Sequence, residues 1–171
     1  MPALRLGLIS DTHNLLRPEA IEALQGVDTI LHLGDICKQE ILDQLALIAP
    51  VTAIRGNNDQ GDWAATLPEQ LQLELSGYRL FLIHDLKQLD LNPHQSAIDV
   101  VLSGHSHRPS VHQDQGILYV NPGSAGPRRF KLPISVGYLF LDAEGIRAEI
   151  HELEPRPQTG RKTTHNTATS S

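Results

Sequence analysis

The segment LRLGLISDTHNLLRPEAIEALQGVDTILHLGD, residues 4–35, decides the class of fold. Its first seven residues form an apolar run that predicts a strand, and a second apolar run at 28–34 predicts another. The chain between them has helical spacing, because Pro18 suits the first turn of a helix and Gly26 suits its end. The predicted apolar face of this helix consists of Ala20, Ile21 and Leu24. A strand, a helix and a strand in this order predict a right-handed crossover between parallel strands.

The rest of the chain continues this alternation and then departs from it. Residues 38–49 have helical spacing up to Pro50, and 51–56 are predicted to form a third strand. Ser76-Gly77 lies between two apolar runs and is typical of a hairpin turn. Further strands are predicted at 97–104, at 117–123 and in a hairpin over 137–153. We therefore expect a parallel α/β half, a mostly antiparallel half, and two packed sheets with helices outside.

Composition limits the class of protein. With 171 residues, 40% hydrophobic and 20% charged, the chain fits one globular domain, which we predict over 1–154. The segment 155–171 is rich in Pro, Thr and Ser and has no apolar face, so we predict that it is disordered. The net charge of −6 argues against stable nucleic-acid binding through a broad basic surface.

Cellular location is predicted from what the sequence lacks. No apolar run approaches the roughly 20 residues of a membrane span, and the N-terminal run is short and carries no signal-peptide cleavage pattern. The one cysteine, Cys37, allows no internal disulfide. We predict a soluble, cytoplasmic protein without membrane contact.

Polar side chains follow five of the predicted strands. They are Asp11 and His13, Asp35, Asn57 to Asp59, His84 and Asp85, and His105 and His107. A single Asp or His at a strand end is most often a loop residue or a helix cap, but this fold would bring all these ends together. Mixed carboxylate, imidazole and amide donors suit borderline divalent ions, and no thiolate set is present for a cysteine-rich zinc site. The donors are too many for one ion, whereas two ions that share one carboxylate would use them all.

The ordered motifs D-x-H, G-D, G-N-x-D, H and G-H-x-H resemble those of the calcineurin-like metallophosphoesterase superfamily. In this chain they are Asp11-Thr12-His13, Gly34-Asp35, Gly56-Asn57-Asn58-Asp59, His84 and Gly104-His105-Ser106-His107. The short chain and the segment Asn121-Pro122-Gly123-Ser124 are most similar to the small bacterial and archaeal phosphodiesterases of that superfamily. The resemblance implies an α/β fold, a four-layer α/β/β/α sandwich of two mixed sheets flanked by helices, which agrees with the strand pattern above.

The resemblance also implies a role for each matching residue. One metal ion would be held by Asp11, His13 and His107, a second by Asn57, His84 and His105, and both would be bridged by Asp35. A catalytic role is implied for Asp35, Asn57 and His84, and we assign substrate binding to Asn58 and Arg128. The cofactors would be two divalent cations, with Mn²⁺ preferred and Ni²⁺, Fe²⁺, Co²⁺ or Zn²⁺ as alternatives.

The implied activity is hydrolysis of a small phosphodiester. A hydroxide that bridges two cations about 3.5–4 Å apart would attack phosphorus in line. The alternatives are a non-catalytic metal-binding scaffold of the same fold that serves protein interaction, and a phosphomonoesterase, which ranks below the diesterase. The natural substrate, the native metal and the existence of a homo-oligomer stay open at this stage.

Two positions depart from the family pattern. Asn58 stands where many members have a histidine that protonates the leaving oxygen, and an amide is no such acid near neutral pH. Asp85 follows His84 where the family usually has glycine, so it would either accept a hydrogen bond from a ligand histidine or disturb a tight turn. For His32 and Asp59 we predict packing and loop closure, respectively, rather than metal binding.

Overall fold

The computed structural model describes residues 3–129 and 131–153, and the predicted disordered segment 155–171 lies outside them. The strands in chain order are β1 (Leu4–Ile9), β2 (Thr29–His32), β3 (Val51–Ala53), β4 (Gln70–Leu75), β5 (Tyr78–Ile83), β6 (Val100–Leu102), β7 (Ser110–Asp114), β8 (Ile117–Asn121), β9 (Ser135–Asp142) and β10 (Gly145–Glu152). Sheet 1 has the order β10-β9-β1-β2-β3, and sheet 2 has the order β4-β5-β6-β8-β7.

Both sheets are mixed. In sheet 1 the strands β1, β2 and β3 are parallel, and β9 pairs antiparallel with β1 and with β10. In sheet 2 the strands β5, β6 and β8 are parallel, whereas the two edge strands are antiparallel to their neighbours. The predicted two-sheet α/β sandwich is confirmed.

The main core lies between the two sheets. Leu6 and Leu8 of β1 are fully buried there and pack in one cluster with Leu80 and Leu82 of β5. Alternate residues of each strand point to the same face, so the residues between them face outward. Burial of each such leucine contributes about 1.5–3 kcal/mol, which fixes the register of the strands and the position of the loops that follow them.

Helices cover the outer face of sheet 1. They are α1 (Pro18–Ala23), α2 (Gln39–Ala46) and the short α3 (Asp62–Ala65). Ile9 of β1 and Leu45 of α2 belong to the cluster beneath them. The outer face of sheet 2 is covered by the segment 86–98, whose helical part is the single 3₁₀ turn Leu86–Gln88. Across the described parts of the chain, none of the helices is both long and apolar enough to traverse a bilayer.

Two features differ from the sequence pattern. The pattern does not predict β7, because all five of its residues are exposed and no apolar alternation marks it. The predicted strands 28–34, 51–56 and 97–104 are longer than the observed β2, β3 and β6. The reason is that apolar residues such as Leu33 and Ile54 stay buried in the core after the strand ends, so burial continues beyond the strand itself.

Candidate metal centre

The loops that follow the parallel strands meet at one edge of the sandwich. The backbone N–H of Asp11, after β1, donates to the carbonyl of Gly34, after β2, at 2.9 Å. The N–H of Gly104, after β6, donates to the carbonyl of His84, after β5, also at 2.9 Å. Asp11 then links the two sheets, because its Oδ2 accepts the N–H of His105 at 3.0 Å. The sequence-predicted convergence of these strand ends is therefore present.

The backbone of these loops is strained at the predicted ligand positions. Left-handed φ angles between 46° and 70° occur at Asp11, His13, Asp35, His105 and His107. Residues other than glycine rarely adopt this conformation, and such strain concentrates at functional sites. Each of these five residues belongs to a group whose side-chain donor atoms lie within 4.8 Å of one another.

The first donor set is formed by Asp11, His13 and His107. The Nε2 atoms of His13 and His107 lie 3.8 Å and 3.5 Å from Oδ1 of Asp11. Oδ2 of Asp11 already accepts hydrogen bonds, one of them from the Ser10 hydroxyl at 2.7 Å. Oδ1 is therefore the oxygen that faces the two imidazoles, and the ligand atoms of the three residues lie within 4.8 Å of one another.

The second donor set is formed by Asp35, His84 and His105. Nδ1 of His84 donates to the carbonyl of Leu33 at 2.7 Å, which leaves its Nε2 without a proton in the neutral ring. That Nε2 lies 3.3 Å from Oδ2 of Asp35, and Nε2 of His13 lies 3.6 Å from the same oxygen. Asp35 is thus in contact with residues of both sets.

Several buried atoms at this centre lack a hydrogen-bond partner. They are Oδ1 of Asp11, Nε2 of His13, Nε2 of His84 and Nδ1 of His107. Buried polar atoms without partners are costly, and most native structures avoid them. Two carboxylates and several imidazoles that converge on shared space satisfy the donor chemistry of borderline divalent cations. The residues present therefore fit the metal ions that the motifs imply.

The charges of the two carboxylates act on the neighbouring imidazoles. Burial opposes protonation of His84, but the contact of its Nε2 with the Asp35 carboxylate and the charge of Asp11 outweigh this and raise its pKa to about 9. The neighbouring Asp11 carboxylate likewise raises the pKa of His13. Burial also opposes ionisation of Asp35, yet His84 and Asn58 hold the pKa of that carboxyl well below its usual range. The site is thus strongly attractive to positive charge.

Asn57 and Asn58 lie on the loop after β3 and are both exposed. Asn57 lines a cavity together with His84 and His105, next to the second donor set. Asn58 donates its backbone N–H to Oδ1 of Asp35 at 2.9 Å and its amide to Oδ2 at 3.1 Å. In this structure Asn58 therefore orients the Asp35 carboxylate.

Asp59 and His32 support the centre without facing it. Asp59 is buried, and its carboxylate accepts four backbone N–H groups, at 2.8–2.9 Å, from Asp35, Ile36, Cys37 and Gly56. Both ring nitrogens of His32 are also engaged. Its Nδ1 accepts the N–H of Gly34 at 3.2 Å, and its Nε2–H donates to the Thr12 hydroxyl at 3.0 Å. These contacts are those of loop closure and packing.

The segment 121–124 holds two of the ligand loops. The amide of Asn121 donates to the carbonyl of Gly104 at 3.0 Å and to the hydroxyl of Ser106 at 3.1 Å. The hydroxyl of Ser124 donates to the carbonyl of Asp11 at 3.1 Å. Gly104 is required by this close packing, because a Cβ there would lie 2.1 Å from the Ser10 hydroxyl oxygen.

Asp85 does not strain its turn. Its φ of −111° and ψ of 111° are extended backbone that any residue adopts, so the turn does not require glycine. One carboxylate oxygen accepts the N–H of Lys87 at 3.1 Å, and the other lies 3.7 Å from Nε2 of His105. Asp85 therefore adds a negative charge beside the second donor set.

Two cavities meet at His105 and Asp85. One, of about 580 Å³, extends along sheet 2, and the other, of about 450 Å³, extends toward Asn57. Arg129 lines the larger cavity, whereas Arg128, assigned to substrate binding from sequence, is exposed and donates to the carbonyl of Leu132 at 3.4 Å. Sequence reasoning also missed His112 and Tyr119, which line the larger cavity, because no motif marks them.

Comparison with known proteins confirms the resemblance seen in the motifs. The calcineurin-like phosphoesterase superfamily domain matches residues 4–145, and the chain belongs to this superfamily. A probable metallophosphoesterase of Methanothermobacter thermautotrophicus is 36% identical over 157 residues, which are 85% of this chain and 90% of that protein. A phosphodiesterase of Methanocaldococcus jannaschii is 28% identical over 167 residues, which are 87% of this chain and 100% of that protein.

The fold also occurs in a protein that is not named as a phosphoesterase. Vacuolar Protein Sorting 29 from Cryptosporidium parvum has a TM-score of 0.75 to this chain and is 20% identical, with 89% of this chain and 92% of that chain covered. At this identity the likeness concerns the fold alone. The same fold serves different functions, so activity is inferred from the residues of the site.

Proposed function

We propose that the protein is a metal-dependent phosphodiesterase that acts on a small phosphodiester. Asp11, His13 and His107 would hold one divalent cation, Asn57, His84 and His105 would hold a second, and Asp35 would lie between them, with Mn²⁺ as the preferred ion. Bound cations supply a hydroxide nucleophile at neutral pH for in-line attack and offset the charge that develops on the phosphoryl oxygens. The cytoplasmic location remains a prediction, and the oligomeric state stays open.

Side chains and backbone groups of this protein orient the donors. The backbone carbonyl of Leu33 accepts the Nδ1 proton of His84, so Nε2 is the ring nitrogen that faces the centre. Asn58 fixes the plane of the Asp35 carboxylate through two hydrogen bonds, and Asp59 fixes the backbone on which Asp35 lies. The donors are thus positioned before any cation binds, which reduces the cost of binding.

The observation that supports a diester substrate is the pair of cavities that meet at His105 and Asp85. A phosphodiester has two substituents on phosphorus, and each cavity would take one of them. A monoester has one substituent and a second ionisable oxygen, so at neutral pH it brings more negative charge to Asp85. The arrangement therefore supports diester over monoester hydrolysis.

Asn58 affects the choice of leaving group. An amide stands where many family members have an acid, and here it donates to Asp35. The leaving oxygen would depart without a proton from this position, so alcohols of low pKa leave most readily. The proposed enzyme therefore favours activated diesters.

The alternative is a non-catalytic scaffold of the same fold that binds metal. Oδ1 of Asp11 and Nε2 of His84, which are buried without hydrogen-bond partners, support a bound cation in either case. We place the enzyme first because the two cavities that meet at His105 and Asp85 provide room for a substrate beside the second donor set.

Hydrolysis of bis(p-nitrophenyl) phosphate in Mn²⁺ tests the proposal. We expect turnover by the wild type that a chelator abolishes, and slower turnover of p-nitrophenyl phosphate. Asp35→Asn and His107→Ala should each lower kcat/KM by more than about a hundredfold, since even residues that only orient ligands cost 10–100-fold. His94→Ala is the control, because His94 is exposed and is not among the proposed ligands. Equal rates in the wild type and all three variants would refute the proposal that this site is catalytic.

A further inference from the structure

The larger cavity has a composition that metal binding does not explain. Its lining includes His105 of the ligand loop together with Ser103, Val120 and Asn121. The lining also carries two cationic residues, Lys87 and Arg129, and one carboxylate, Asp85. At about 580 Å³ it lies within the usual range for pockets that bind small molecules.

The lining also includes a pair of parallel aromatic rings. His112 of β7 is directly opposite Tyr119 of β8 in the antiparallel register. Their ring centroids are 5.2 Å apart and their planes differ by 6°. His112 is exposed, and Tyr119 also packs on the cluster that covers the outer face of sheet 2. The pair forms an aromatic surface at the β7 edge of sheet 2.

Register places this surface near the metal ligands. Ser110 is paired with Asn121, one two-residue repeat along the strands from the pair His112 and Tyr119, so both pairs face the same side. Asn121 holds the Gly104 and Ser106 part of the ligand loop. One such repeat is about 7 Å, so a ligand of modest length would reach from the aromatic surface to the donors.

We propose that this cavity binds the nucleoside part of a nucleoside phosphodiester, with the base stacked on the His112–Tyr119 surface. The inference rests on the proposed function, since it places the phosphate at the donor sets. Every nucleobase has a π-face that stacks on aromatic side chains, and stacking does not require a particular base. Asp85 and Ser110 supply acceptors for base or sugar protons, and Arg129 adds a positive charge for the phosphate.

The composition of the smaller cavity indicates which part of the substrate would enter each cavity. Its lining is polar and includes Arg55, Asn57, Glu69, Gln70 and Gln88. The two aromatic rings among the described residues that line it, those of His84 and His105, belong to proposed metal ligands, whereas the larger cavity has the stacked pair His112 and Tyr119 apart from the ligands. The base would therefore occupy the larger cavity, and the second substituent of the diester would occupy the smaller one.

Binding of adenosine to metal-free protein tests the pocket without turnover. Chemical-shift changes in ¹⁵N-labelled protein should cluster at β7, β8 and the segment 85–87, and methyl riboside should cause none of comparable size. His112→Ala and Tyr119→Leu should each weaken adenosine binding about tenfold by loss of stacking. Val111→Ala, whose side chain lies on the opposite face of β7, should bind as the wild type does.

A rate comparison separates this proposal from the proposed function. In Mn²⁺, the ratio of kcat/KM for thymidine 5′-(p-nitrophenyl phosphate) to that for methyl p-nitrophenyl phosphate should exceed about ten and fall in His112→Ala. Diester hydrolysis with a ratio near one, together with no adenosine binding, would overturn the pocket and leave the phosphodiesterase standing. Adenosine binding that both aromatic variants weaken, in a protein that hydrolyses neither ester, would overturn the phosphodiesterase and leave a nucleoside pocket.

Discussion

Asp59 shows how a single carboxylate organises this centre from outside it. Its two oxygens accept four backbone N–H groups from two different loops, one after β2 and one after β3. A carboxylate is well suited to this role because it has acceptor sites only. The loops that carry Asp35 and Asn57 are thereby fixed relative to each other.

Replacement of this residue tests the role. Asp59→Ala would leave several of these N–H groups without a partner, so we expect the free energy of unfolding to fall by about 3 kcal/mol. Urea denaturation of metal-free protein measures this change. Asp43→Ala, at an exposed position of α2, is the control and should change stability by less than about 0.5 kcal/mol. Equal stability of the two variants would contradict the role assigned to Asp59.

His32 should make stability depend on pH. Full burial lowers its pKa to about 3, from an ordinary value of 6.5. Between these two pH values the unfolded chain binds a proton at His32 that the folded chain does not. The free energy of unfolding therefore decreases as the pH falls from 6.5 toward 3, and His32 has no effect on it above 6.5. The slope from this one group is at most about 1.4 kcal/mol per pH unit.

The measurement is denaturation of metal-free protein at several pH values. His32→Gln should be less stable than the wild type near pH 7 but should lose less stability on acidification. Other groups titrate in the same range, so the comparison is between the two slopes. Identical slopes would show that His32 is not the neutral, buried group described above.

At the residue scale, the kinds of donor could be predicted and their surroundings could not. Asp11, His13, His84 and His107 are recognisable because a strand ends beside each of them. The arginine that lines the cavity depends on the path of the loop 125–129, which has no periodic pattern, so Arg128 was indistinguishable from Arg129. Likewise, the contact between Asn58 and Asp35 joins two distant loops, and only their packing determines it.

Among the elements, strands with one buried face were predictable and an exposed edge strand was not. The sequence LRLGLI of β1 is mostly apolar, because a core cluster covers each face of the strand. The sequence SVHQD of β7 has no such pattern, and its position follows from pairing with β8. The stacked pair of the larger cavity was missed for this reason.

Gly104 lies just after β6 and packs closely against Ser10 and Asp11, so its replacement should affect metal binding. A Cβ there would lie 2.1 Å from the Ser10 hydroxyl oxygen and 2.9 Å from Oδ2 of Asp11. Gly104→Ala must therefore displace Asp11, and we expect metal affinity to fall by at least about tenfold in isothermal titration with Mn²⁺.

The control for this change is Gly7→Ala. A Cβ at Gly7 would meet the end of the Leu24 side chain at 2.6 Å, far from the donors. It should lower stability by about 1–3 kcal/mol and leave Mn²⁺ affinity unchanged. If Gly7→Ala weakened Mn²⁺ binding as much as Gly104→Ala does, the effect would reflect general destabilisation rather than displacement of Asp11.

For the whole molecule, the two sheets converge on one charged centre. Sheet 1 supplies Asp11, His13 and Asp35, sheet 2 supplies His84, His105 and His107, and the backbone of His105 bonds to Asp11 across the junction. A cation bound here would contact residues from both sheets, so it would stabilise the folded state against separation of the sheets.

Thermal unfolding should therefore depend on metal. At a Mn²⁺ concentration about a hundred times the dissociation constant, one site adds about 2.7 kcal/mol, which raises the Tm of a domain this size by roughly 5–10 °C. Differential scanning calorimetry with and without a chelator measures the shift. His107→Ala should show a smaller shift at the same Mn²⁺ concentration, and an equal one would exclude His107 as a ligand.

The number of Mn²⁺ ions bound per chain is the most direct test of the account, because a two-ion centre requires both donor sets and Asp35. Equilibrium dialysis followed by elemental analysis gives this number. We predict two ions per wild-type chain and fewer in Asp35→Asn at the same free Mn²⁺ concentration. A wild-type chain that binds none, or an Asp35→Asn variant that binds two with unchanged affinity, would contradict the proposed centre.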